Sequence, residues 1–366
     1  MVLGIDVSSY LEVLNCGGKF YKNGALIDPL DEFAKNNVKH MRIRLWNNPY
    51  SEKGEPYLGG TCDLTNFLKL GKLAKEKGFE IYLDIHYSDF WADPSKQFRP
   101  KAWVNYGVSE LKEAIYEYTK SVLETIKSNG IDLYMIQVGN EITNGLLWPD
   151  GKLCENGEET RTGYDNFADF LKSGFLACSE IYPKAKKMVH LEKSYDNFIY
   201  TEILTELEKR NVEYDVLGAS YYPYWHGTKA QLFDNLKKCK ERFGKEIAIA
   251  ELAYAFSLED YSVSNNGVNN LVVHEQSMTE NAGFPPTKQG QADFISDFIS
   301  SAEANNVSQI YYWEPLWIPA ENTCWASVSG QEYINEKTKE TRNEWANQCL
   351  FDYKGEMNPS FDKYKA

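Results

Sequence analysis

The feature that most constrains this chain is an alternation. Eight short apolar runs, at residues 4–9, 38–46, 79–86, 131–141, 187–192, 214–222, 246–251 and 307–314, recur along its 366 residues. Between them lie amphipathic stretches of helical period, at 28–37, 63–77, 109–128, 164–181, 197–210, 229–243 and 288–304. Asp28 before Pro29 reads as an N-cap, and Gly78 closes the second helix. Runs that stay apolar at nearly every position belong to strands covered on both faces. Strands alternating with helices build a parallel sheet, and eight repeats predict a closed (β/α)8 TIM barrel rather than an open doubly wound sheet. No linker-like, low-complexity or repeated segment interrupts the pattern, so residues 1–366 read as one domain.

In such a barrel the chemistry belongs at the carboxyl ends of the strands. The fourth run, YMIQVGNEITNGLLWPDG at 134–151, turns from apolar to polar at Gly139-Asn140-Glu141. A carboxylate where an apolar strand runs out is costly to bury and needs a reason. The seventh run, EIAIAE, ends in a second such acid, Glu251. Strands four and seven face each other across a barrel mouth, so both acids can reach one pocket. A retaining glycosidase sets two carboxyls about 5–5.5 Å apart, one as acid/base and one as nucleophile, and an inverting enzyme sets them farther apart.

Residues two apart in a strand share a face. In VKHMRIRLW, Arg42 and Arg44 share one face, opposite Met41, Ile43 and Leu45. In FEIYLDIH, Asp84 and His86 share a face. The apolar faces should meet the helices, which points the charged residues into the barrel, where a guanidinium needs carboxylate partners. Arg44 and Asp84 fit a structural ion-pair network as well as they fit chemistry. Arg42 and His86 read as site residues.

Composition enters at two points. Aromatic residues make up 14% of the chain, with 9 Trp and 25 Tyr, and they crowd at two strand ends, SYYPYW and YYWEPLW. Aromatic faces stack on sugar rings as well as filling cores. The formal net charge of -14 argues against a polyanionic partner, nucleic acid included, and favours a neutral or cationic substrate. No glycine-rich nucleotide-binding motif follows any run. The seven cysteines show no zinc-like spacing. No stretch is apolar enough to span a membrane.

Assembled, these residues resemble glycoside hydrolase family 53, the endo-β-1,4-galactanases, over nearly the whole chain. The resemblance is carried by GIDVSSY, VKHMRIRLWNNP, LDIHYSDFWADP, QVGNEITNGLLWPDG, GASYYPYW and YYWEPLW. It implies a (β/α)8 barrel and retaining hydrolysis of internal bonds in β-1,4-galactan, the neutral side chain of pectin. It implies Glu141 as acid/base and Glu251 as nucleophile. Asn140 would bond the sugar 2-hydroxyl, and Arg42 and Tyr222, preferred to Tyr221, would orient and ionise Glu251. His86, Asp89, Trp91 and Trp313 would line subsites on the non-reducing side of the cleaved bond, with Trp317 as a further candidate. Bacterial members often carry a calcium loop after strand seven. Residues 259–267 here lack its alternating acids, which leaves Asp260 and Asn265 as the available oxygen donors and implies no metal or other cofactor. LAYAF follows Glu251 where the family more often has TAYP. The resemblance also implies an extracellular or cell-surface protein and a monomer. Two other readings stand beside it: a β-1,4-glycanase of the same clan acting on mannan, xylan or glucan, and a non-catalytic carbohydrate-binding barrel.

Overall fold

Eight parallel strands close into a barrel in chain order: β1 (Val2–Asp6), β2 (His40–Leu45), β3 (Glu80–Ile85), β4 (Leu133–Val138), β5 (Lys186–Leu191), β6 (Val216–Tyr221), β7 (Glu246–Leu252) and β8 (Gln309–Trp313). The computed structural model describes residues 1–155, 158, 159, 161–262, 269–336 and 340–365. Among the described residues, seven helices cross between the strands, besides a short helix at Tyr10–Asn15: α1 (Pro29–Lys35), α2 (Leu64–Glu76), α3 (Val108–Ser128), α4 (Arg161–Ile181), α5 (Asn197–Lys209), α6 (Lys229–Phe243) and α7 (Lys288–Ala304). The expected (β/α)8 architecture is present. Asp28 caps α1 by accepting from the Leu30 N–H, and Asp63 caps α2 from Asn66. Gly78, with φ +81°, ends α2 in the left-handed conformation that glycine adopts without strain. Among the described residues, no long helix follows β8. The tail instead runs through a short helix, Val328–Tyr333, and ends with the Tyr364 hydroxyl donating to Gly4 O over 2.6 Å.

The pleat sorts side chains as the period of two requires. Met41, Ile43, Leu83, Ile85, Ile136 and Val138 join the main core between strands and helices. Tyr82, Met135, Met188, Val216, Ala248, Ala250 and Tyr311 pack as a separate cluster inside the barrel. Gly4 makes room for it, because a Cβ there would stand 2.5 Å from the Tyr311 ring.

Two local departures from regular strand geometry aim the acids. Ala219 of β6 pairs with Ile249 of β7, and Ser220 pairs with Glu251, so Ala250 is skipped as a bulge. Ala250 and Glu251 therefore both point inward, which strict alternation forbids. At the other side β4 stops at Val138, short of the expected Glu141. Gly139 follows at φ +80° and Glu141 at φ +48°, a left-handed backbone that costs a glutamate energy and re-aims its side chain. Cys16, Cys62, Cys178, Cys239, Cys324 and Cys349 are free thiols, and the Cys154 side chain lies outside the described residues. Among the described residues, no helix is long and apolar enough to cross a membrane.

Candidate active site

The carboxyl end of the barrel is wired around one guanidinium. Arg42 is wholly buried. Its Nη1 donates to Asp6 Oδ2 (2.7 Å) and Glu251 Oε1 (2.9 Å), and its Nη2 to Asp84 Oδ2 (2.8 Å) and Asn140 Oδ1 (2.9 Å). Arg44, one pleat higher, pairs with Glu314 Oε1 at 2.7 Å. Buried carboxylates persist only with such partners. Burial pushes Asp84 up, but Arg42 and then His86 more than reverse it, and its carboxyl sits below the ordinary range. For Glu314 burial wins over Arg44, and its carboxyl is pushed up to about 7.

Glu141 and Glu251 line one cleft of 470 Å³ with Asn140, His86, Trp91, Tyr222 and Trp313. Their surroundings differ. Glu251 has both oxygens held: Oε1 by Arg42, and Oε2 by the Tyr222 hydroxyl over 2.7 Å. Burial leaves its carboxyl raised, while Arg42 and Tyr222 pull against that rise. Among the described residues, Glu141 has no cation as a hydrogen-bond partner. Burial raises it well above the carboxylate range and the Glu251 charge raises it further; a proton donated by Ser220 would pull it down, and the Glu192 and Asp93 charges add to the rise. Its Oε1 lies 2.6 Å from Ser220 Oγ. A proton shared between the two acids therefore resides on Glu141.

The residues expected at the site fall into three groups. Glu141, Glu251, Asn140, Tyr222, Trp91 and Trp313 line the cleft, with Arg42 directly beneath it. Tyr221 points away. Its ring stacks on Phe298 of α7 at 5.3 Å. His86 reaches the cleft with both nitrogens already engaged: Nε2 donates to Asp84, and Nδ1 accepts from the Trp46 indole and the Ala92 N–H. It offers a sugar its ring edge rather than a hydrogen bond. Asp89 and Trp317 are corrections. Asp89 is buried and accepts from the Asn48 and Lys101 backbone N–H groups, so it ties two loops together instead of lining the cleft. Trp317 is fully buried and packs behind Trp91 and Trp313, at 6.0 and 5.9 Å.

Other residues at the site were not anticipated. Trp345, from the terminal segment, packs 5.0 Å from Trp313 and 6.0 Å from Trp225, which is 43% exposed. Together they extend the aromatic wall, and Arg44 lies 4.3 Å from the Trp91 ring as a cation–π brace. The crowding of aromatics after strand six pointed to Trp225. Nothing local in the sequence distinguishes Trp345. Glu192, just after β5, is buried and pushed up to about 7 by its burial, and among the described residues its Oε1 has no hydrogen-bond partner. In LAYAF, Tyr254 is buried against Phe294 and is not part of the cleft floor. Asp260 is taken by an ion pair with Arg342, and Asn265 lies outside the described residues.

With this geometry in place, comparison with known proteins is specific. The glycosyl hydrolase family 53 model matches residues 2–364. An endo-beta-1,4-galactanase of Bacillus subtilis (strain 168) is 33% identical over 385 aligned positions, covering 100% of this chain and 85% of the relative. Among solved structures, the GH53 catalytic domain of Ignisphaera aggregans superposes with a TM-score of 0.88 at 35% identity, covering 99% of this chain and 95% of that one. A fungal beta-1,4-galactanase superposes with a TM-score of 0.78 at 26% identity, covering 100% and 98%.

Proposed function

Because this chain belongs to glycosyl hydrolase family 53, we propose that it hydrolyses internal β-1,4-galactosidic bonds of galactan, the neutral side chain of pectin, with retention of configuration. One observation carries the reading. Glu141, half-buried, and Glu251, buried, share a cleft, and of the two Glu251 is held at both oxygens by donors, Arg42 and Tyr222. That asymmetry supports Glu251 as the ionised nucleophile and Glu141 as the acid.

Glu141 gives its proton to the leaving glycosidic oxygen while Glu251 Oε2 or Oε1 attacks the anomeric carbon. The C–O bond to the leaving sugar breaks and a glycosyl-enzyme ester forms. Glu141, now a carboxylate, takes a proton from water as the water attacks the same carbon and releases Glu251. The two carboxyls supply acid, base and nucleophile, so the step needs no cofactor. Asn140 Nδ2 donates to Ala92 O over 2.9 Å and keeps a second N–H for the sugar 2-hydroxyl. Trp91 and Trp313 supply stacking faces for the sugars on the non-reducing side. A polymeric substrate does not cross a membrane, which supports an extracellular or cell-surface enzyme. The site is complete within one chain, so a monomer suffices.

The test is a panel of linear β-1,4-galactan, β-mannan, xylan, cellulose and a β-1,3-linked arabinogalactan, with products followed by chromatography. Galactan alone should fall to mixed short oligomers. Cutting of another polymer in its place, or of none by folded protein, overturns the substrate or the catalytic reading respectively.

A further inference from the structure

A hydrogen-bond chain of fixed direction ends on Glu141. It begins at Arg42, whose guanidinium can only donate. Arg42 donates to Asn140 Oδ1, and Asn140 Nδ2 donates to Ala92 O, so the amide has one orientation. Oδ1 can only accept. His190 Nδ1 lies 3.0 Å from it and therefore carries a proton. His190 is wholly buried, and burial together with the Arg42 charge holds it well below the ordinary histidine range, so it is neutral. A neutral imidazole has one N–H, which leaves Nε2 as an acceptor. Its partner at 2.9 Å is Ser220 Oγ, whose single proton must point at the ring. Ser220 Oγ also lies 2.6 Å from Glu141 Oε1. Two oxygens this close need a proton between them. Ser220 has spent its own, so the glutamate supplies it.

We propose that Ser220 and His190 are positioning residues that hold the proton on Glu141 and restore it in each turnover. This rests on Glu141 being the acid/base. When Glu141 passes its proton to the leaving oxygen, its carboxylate faces a lone pair of Ser220. The hydroxyl can turn to the carboxylate only by leaving His190 Nε2 without a donor. Either arrangement is relieved when Glu141 takes a proton from the attacking water, so the chain makes Glu141 a stronger base in the second half of the reaction. The other charged groups act alongside. Glu251 of β7, Glu192 after β5 and Asp93 in the loop after β3 face Glu141, while Arg42, Asp84, His86 and His226 face His190.

The sign of one shift tests this. Ser220→Ala deletes an acceptor of the Glu141 proton, so the alkaline limb of kcat/KM for galactan should move down by about one pH unit. Ser220→Thr, which keeps the hydroxyl, should restore it, and His190→Gln, whose amide can instead donate to Ser220, should also lower the limb. The acid limb should stay in place in all three variants. An alkaline limb that rises in Ser220→Ala shows that Ser220 donates to a carboxylate and overturns the proposal. So does a uniform loss at all pH with both limbs unmoved. A second readout does not depend on turnover: the infrared band of the protonated carboxyl, assigned by its loss in Glu141→Gln, should titrate at lower pH in Ser220→Ala. If wild-type protein leaves galactan uncut while that band behaves as stated, the substrate reading fails and the proton chain stands.

Discussion

Removing one oxygen atom at Tyr222 tests the electrostatic core of the mechanism. Tyr222→Phe deletes the hydroxyl that donates to Glu251 Oε2 over 2.7 Å, and leaves the Arg42 bond to Oε1. The ring keeps its packing against Trp225, Trp313 and Trp345, so the fold should hold. A hydrogen bond to a charged group is worth about 1.5–3 kcal/mol, and about 1.4 kcal/mol is one pKa unit. The bond favours the ionised form of Glu251, so its loss raises that carboxyl by about one to two units. The acid limb of kcat/KM, measured on galactan with constant ionic strength, should move up by that amount. The loss should be concentrated on the acid side. Glu251 spends its charge as it bonds to the sugar, so the hydroxyl stabilises the starting carboxylate at least as much as the transition state. Far above the limb the variant should retain much of its rate. A uniform fall at every pH, with the limb unmoved, would refute the idea that Tyr222 acts by holding Glu251 ionised.

Glu251→Ala should abolish galactan hydrolysis with an unchanged circular dichroism spectrum; near-normal turnover would remove the nucleophile assignment. For Glu141→Ala, the glycosylation rate should fall by about 10²–10⁴ on galactan and much less on a substrate with an activated phenolate leaving group, and equal losses would argue against the acid role. Trp91→Ala should raise KM more than it lowers kcat, and the reverse pattern, from steady-state kinetics on a galactan oligomer, would move Trp91 from binding to chemistry. Glu192 gives a stability test. Its buried carboxyl is raised to about 7, so its contribution is intact at low pH and is lost as pH rises from the unfolded value through about 7. Glu192→Gln should match wild type near pH 4 and be the more stable protein near pH 8, by at most about 3 kcal/mol. A difference in Tm that does not change with pH would exclude that origin.

The barrel was legible because each strand is buried on both faces, and composition alone reports that. The inward direction of Arg42, Arg44 and Asp84 was legible too, since a period of two places them opposite Met41, Ile43 and Leu83, which pack outward. Glu251 is different. Counting alternately from Ala248 puts it on the helix side, and only the bulge at Ala250 turns it into the barrel. A bulge is set by pairing between strands, which no single strand displays. The left-handed turn at Glu141 is hidden in the same way, because its strain is held by the surrounding structure. Asp89 shows the opposite error. The family resemblance implied a ligand for the sugar, yet backbone N–H groups of two loops hold its carboxylate. Trp345 arrives from 31 residues beyond Glu314, in a tail with no periodic pattern to place it.

The division of labour between two chemically identical side chains follows from where the barrel keeps its cations. Arg42 and Arg44 both sit on β2, next to β1 and β3 and two strands from β8. Arg42 spans the mouth from there to reach Glu251 on β7, and on the β4 side it meets neutral groups, Gln137 and Asn140. Glu141 looks the other way, towards β5 and β6, where it meets a hydroxyl, the raised acid Glu192 and the neutral His226, which burial lowers to about 4. Exchanging the two acids between strands four and seven would exchange their roles, because neither carries its acidity with it. A cation introduced on the β5–β6 side should therefore silence the enzyme without touching either glutamate. Glu192→Lys is the direct trial: it should lower Glu141, pull the alkaline limb of kcat/KM downward, and cost galactan far more rate than an activated phenolate substrate. Equal losses on both substrates, with the limb in place, would show that the asymmetry of charge around the barrel mouth is not what separates acid from nucleophile.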